Sequence, residues 1–150
     1  MTIFKKSLAL KQLSLKDVQS LFGGQNFYLK GDGTAYIEVV KMREAVKCRR
    51  FKVKLTNDQL KELNRLLKEC NFFSISISNR PGLPDEASSE INVLLISGEK
   101  KTVTKWASDK HPDFDSIYNW LLNIIRETEV AFKPFYAGNY QYDWKPNSND

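Results

Sequence analysis

The sequence is short of the residues from which metal and redox sites are built. It holds two cysteines, Cys48 and Cys70, and a single histidine, His111. The cysteines are far apart, neither belongs to a C-x-x-C pair, and no Cys/His cluster surrounds them, so zinc and redox chemistry lack support. They read as buried thiols in a reducing compartment, and no metal or other cofactor is expected. No run of ~18 apolar residues occurs, so nothing is expected to span a membrane. A secretory leader is not expected either. Lys11 and Gln12 interrupt the apolar stretch behind Lys5 and Lys6, and no small-residue cleavage site follows. Cytoplasmic is the default location. Also missing are a P-loop, a Rossmann glycine pattern, Gly-x-Ser-x-Gly and His-Glu-x-x-His. Enzymatic activity is disfavoured.

What is present suits one packed domain. The chain has 150 residues, 41% of them hydrophobic and 12% aromatic, within the common domain size of ~100–150 residues. A domain of that length buries ~70% of its unfolded surface and needs no disulfide or metal staple. The net charge of +5 is unevenly placed. Between Lys41 and Lys54 seven basic residues face one acid, Glu44, which makes that segment +6 and leaves −1 for the rest.

Periodicity predicts an α+β chain. A short N-terminal helix is expected from Ser14 as cap, Asp17 three residues on, and Leu15, Val18, Leu21 and Phe22 on one face, with Gly23-Gly24 as its stop. A hairpin follows, residues 25–30 and 34–41 about Gly31-Asp32-Gly33. That turn lacks the ligands of a calcium loop. A third strand alternates Phe51, Val53 and Leu55 against Arg50, Lys52 and Lys54. It leads into a helix with a Thr56-x-x-Gln59 capping box, Leu55 and Leu60 as a hydrophobic staple, and a stripe of Leu60, Leu63, Leu67 and Cys70.

The second half repeats the plan. Phe73, Ile75 and Ile77 alternate with serines in an expected strand, a loop with two prolines follows, and strands are expected over 90–96 and 100–106. A helix from about Pro112 to Arg126 closes it, with Asp113 and Asp115 in its first turn and Phe114, Ile117, Leu121, Ile124 and Ile125 inward. The expectation is one mainly antiparallel sheet of about six strands, in two strand-strand-strand-helix halves, with both helices on one face. Residues 1–129 read as the domain. Residues 130–150 read as an aromatic extension strapped across a sheet face or groove, frayed from Asn147 to Asp150.

Two groups of residues are candidates for function. The first is Arg80, Asp85, Glu86, Trp106, Asp109 and His111, a stiff charged loop and a tryptophan near a helix start. His111 between two aspartates has a second reading as a base, yet the same residues suit a helix N-terminus. The second is Arg49, Arg50, Lys52 and Lys54. If these share the outer sheet face with Tyr28, Tyr36 and Trp106, they form a platform for nucleic acid or another polyanion.

The segments Arg80-Pro-Gly-Leu-Pro-Asp-Glu86 and Lys105-Trp-Ala-Ser-Asp-Lys-His-Pro-Asp-Phe-Asp-Ser-Ile-Tyr118 resemble a family of uncharacterised bacterial proteins. The resemblance covers roughly Phe22 to Ile125 and leaves out the tail. It implies a shared fold of strands and two helices, and it implies no activity. The expected function is therefore a non-enzymatic interaction module with a protein partner, as a monomer or weak homodimer. The alternatives are polyanion or nucleic-acid binding through residues 41–54, and a small hydrolase using Asp109 and His111.

Overall fold

The computed structural model describes residues 9–19, 22–42 and 46–146. Leu21, Arg43, Glu44 and the end expected to fray, Asn147 to Asp150, lie outside them. Seven strands form one sheet: β1 (Leu10–Gln19), β2 (Gly23–Lys30), β3 (Thr34–Met42), β4 (Val46–Lys54), β5 (Ser88–Leu95), β6 (Lys100–Trp106) and β7 (Tyr136–Asn139). Their order is β6-β5-β1-β2-β3-β4-β7, and every neighbouring pair is antiparallel. Helix α1 (Asn57–Glu69) leads from β4 to a short 3-10 turn, and α2 (Pro112–Ala131) follows β6.

The expected N-terminal helix is instead β1, which lies between β2 and β5. Leu13 and Leu15 are spaced by two and fully buried, opposite Leu29 and Phe27 on one side and Val93 and Ile91 on the other. A register shift between Leu10 and Gln12 lets Leu10 turn inward too. Flanking strands pair the backbone of β1 on both edges, which outweighs a weak helical spacing. Ser14 caps nothing; its hydroxyl accepts from the Asn92 amide at 3.3 Å. Gly23-Gly24 opens β2 rather than stopping a helix. Both have positive φ, and a Cβ on either would strike the backbone of Val40 or Asp17.

The strand expected over Phe73, Ile75 and Ile77 is also absent. Residues 72–74 form the 3-10 turn, entered through Asn71 at φ +51, and residues 75–83 belong to no helix or strand. Phe72 and Ile75, three apart, supply the buried pair. The first unit thus has four strands before its helix and the second has two, so the halves are unequal. A seventh strand, β7, comes from the tail and pairs with the edge of β4.

Both helices lie on one face. Leu63 and Leu67 of α1 and Phe114, Ile117, Leu121, Ile124 and Ile125 of α2 join the inward residues of the sheet in a single core. Thr56 and Gln59 close the capping box through bonds of 3.1 and 2.9 Å. His111 is the N-cap of α2, which continues past Arg126 to Ala131. Under α2 the buried Asp17 carboxylate accepts from Gln25, from Ser89 at 2.5 Å and from Tyr118 at 2.6 Å. Burial and that carboxylate push the Tyr118 hydroxyl well above the usual tyrosine range. Cys48 and Cys70 are both free and buried. No helix among the described residues is long and apolar enough to cross a membrane.

Candidate functional site

Strand alternation sends every second residue away from the helices. One outer row runs Thr104, Glu90, Lys16, Asn26, Glu38, Arg50, Tyr136, and the next runs Thr102, Asn92, Ser14, Tyr28, Tyr36, Lys52. The C-terminal tail divides this face into a covered half and an open half.

The covered half is a buried polar network. Arg50 donates from Nε to Glu38 Oε2 at 3.0 Å, and both side chains are almost wholly buried. Its guanidinium lies 4.4 Å from the centre of the Tyr136 ring and 4.3 Å from that of Trp144, which clamp it. Glu38 also accepts from Asn26 at 3.0 Å and from the Cys48 thiol at 3.7 Å. Burial, reinforced by Glu38, pushes that thiol up to about 11. Trp144 meets Tyr28 and Tyr36 edge-on at 6.1 and 6.5 Å between ring centres. Burial, followed by Glu38, raises the Tyr28 hydroxyl to about 12.

The open half, over β1, β5 and β6, holds a groove of about 460 Å³. Its polar floor includes Ser14, Asn92 and Thr102, joined by Asn92–Ser14 and Thr102–Asn92 hydrogen bonds of 3.3 and 2.5 Å. Among the described residues five lysines line it (Lys16, Lys30, Lys100, Lys101 and Lys145) and no acidic residue does. Tyr36 closes one side. Its hydroxyl is buried without a hydrogen-bond partner among the described residues, and the Lys30 and Lys52 ammonium groups stand 5.7 and 5.5 Å from its ring centre. A second cavity of about 480 Å³ shares Lys16, Tyr28 and Lys145 with the first and is walled by Tyr140, Tyr142 and Trp144.

No family model, no curated protein and no solved structure matches this chain.

Of the first group of sequence candidates, the structure brings Arg80, Glu86, Trp106 and Asp109 together, and they bind one another. Arg80 forks onto Glu86 through bonds of 3.0 and 2.9 Å and reaches Asp109 at 3.0 and 3.2 Å. Glu86 also accepts from Leu83 N at 3.0 Å and from Ser108. Arg80 and Ser108 hold its carboxyl far below the usual carboxylate range. The Trp106 indole donates to Arg80 O at 3.1 Å, and its ring lies where a Cβ on Gly82 would fall. Asp85 is exposed, at φ +59. His111 Nδ1 accepts from Phe114 N at 3.2 Å, so the imidazole caps α2 while the Asp109 carboxylate faces Arg80. These contacts pin a loop to the start of a helix.

The second group is dispersed. Arg49 turns to the helix face and pairs with Glu129 at 2.6 Å. Arg50 is buried under the tail, and Lys52 and Lys54 alone are exposed. Sequence reasoning missed the groove lysines because they come from β1, β2, β6 and the tail. The signal that finds them is the period-two run Leu13-Ser14-Leu15-Lys16, once it is taken as a strand.

Proposed function

We propose that the protein is a non-enzymatic binding module that holds an anionic ligand in the open half of its outer sheet face. One observation carries this reading: among the described residues, five lysines and no acid line a groove of about 460 Å³. That volume falls in the ~300–1,000 Å³ range of small-ligand sites. Lysines around a low-dielectric concavity focus a positive field on it. In the floor the Asn92 amide donates to Ser14 and Glu90 and the Thr102 hydroxyl donates to Asn92, so the lysines carry the attraction for an anion. The Arg80 loop is the weaker candidate, because its charges answer each other and little is left for a partner. The basic run of β4 is weaker because it is split between the two faces, with Arg49 turned to Glu129 on the helix side and Arg50 buried against Glu38.

The test is calorimetric titration with inorganic polyphosphate at low ionic strength. Binding is expected to weaken as salt rises and to fall sharply when Lys100→Glu and Lys145→Glu are combined. Both side chains are exposed, so the fold should be unaffected. No binding at low salt, read by calorimetry and by competition against a labelled polyanion alike, would refute the proposal.

A further inference from the structure

We infer that the ligand is a short single-stranded nucleic acid, laid across both outer cavities with its phosphates on the lysines and a base on the aromatic wall. This rests on the anion-binding reading above and adds the ligand's class. The two cavities divide the labour that such a ligand requires. Among the described residues the first is lined by lysines without acids, and the second by Tyr28, Tyr140, Tyr142 and Trp144. Lys16, Tyr28 and Lys145 belong to both, so the two cavities are neighbours on one face. Glu90, the acid in the second cavity, is offset by Lys16 at 3.8 Å.

Tyr142 is the telling residue. It is 88% exposed on that wall, although an aromatic ring gains most by burial. A free ring beside a lysine-lined groove suits base stacking, which every base supports through its π-face. Lys100 on β6 and Tyr28 on β2 are three strands apart, ~14 Å at the usual interstrand spacing. That distance accommodates ~two or three nucleotides, as sheet-face RNA modules do. A polyphosphate or an acidic peptide would use the lysines but has no flat ring to set against Tyr142.

The experiment measures fluorescence anisotropy with labelled short oligouridylate and oligothymidylate, with polyphosphate and polyglutamate as competitors. The oligonucleotide is expected to bind with a log–log salt slope of about −2, since each neutralised phosphate contributes about −0.7. Tyr142→Ala should weaken the oligonucleotide roughly five- to tenfold and leave polyphosphate binding unchanged. Lys100→Glu should weaken both ligands and flatten the slope by about 0.7. Polyphosphate binding with no oligonucleotide binding, or with no effect of Tyr142→Ala on it, overturns this inference and spares the anion-binding reading. Failure of all the anions to bind overturns both.

Discussion

Replacing Arg50 by methionine tests whether the tail is held by a buried ion pair. The guanidinium lies 3.0 Å from Glu38 with both side chains almost fully buried, and it is clamped at 4.4 and 4.3 Å by Tyr136 and Trp144. Methionine fills similar space but leaves the Glu38 carboxylate with Asn26 and Cys48 as its remaining partners. An uncompensated buried charge of this kind costs ~3–5 kcal/mol, a large part of the ~5–15 kcal/mol that holds a domain together. With a urea m-value of about 2 kcal/mol/M, the midpoint should fall by ~1.5–2.5 M. Removing both charges, as Glu38→Leu with Arg50→Met, should recover most of that loss, because an apolar pair leaves no orphaned charge. The coupling in this double-mutant cycle should exceed ~1 kcal/mol. A single-mutant loss below ~1 kcal/mol, or a double mutant equal to the sum of its singles, would refute the reasoning.

Gly82→Ala should loosen the Arg80 loop, since the added methyl meets the Trp106 ring whose N–H bonds Arg80 O. The expected cost is ~1–3 kcal/mol, with faster proteolysis between Ile77 and Glu86; an unchanged digest would count against the clamp. Alkaline pH should destabilise the protein. Cys48 and Tyr28 have folded-state values raised to about 11 and about 12, so their contribution is complete below the unfolded thiol value of ~8.5 and fades as pH rises toward 11 and beyond. The urea midpoint should be lower at pH 10 than at pH 7.5, and Ellman's reagent should reach Cys48 only after unfolding. Rapid labelling of the folded protein at Cys48 would contradict its burial.

The local sequence determined those elements whose signals need no distant partner. The capping box at Thr56 and Gln59, the stripe of α1, the Gly31-Asp-Gly turn and the proline-marked start of α2 are all interactions across a few residues. Period-two alternation likewise placed β2, β3, β5 and β6 within a residue or two of their ends and caught the second half of β4, whose start at Val46 lies four residues before the Arg50–Leu55 alternation. The tertiary structure decided whatever depended on a neighbour far along the chain. Residues 10–19 carry both a helical spacing and an alternation, and pairing with β2 and β5 settled the matter in favour of the strand. Phe73, Ile75 and Ile77 alternate well, yet the segment finds no sheet edge and buries Phe72 and Ile75 instead. The seventh strand exists because residues 136–139 meet the edge of β4. The outer sheet face was the least legible part for the same reason. Arg50 looks like an exposed cation until Glu38, Tyr136 and Trp144 enclose it, and the groove lysines lie as much as 129 positions apart in the chain, from Lys16 to Lys145. Charge in a sequence is a count, and the fold decides which charges cancel and which face a ligand.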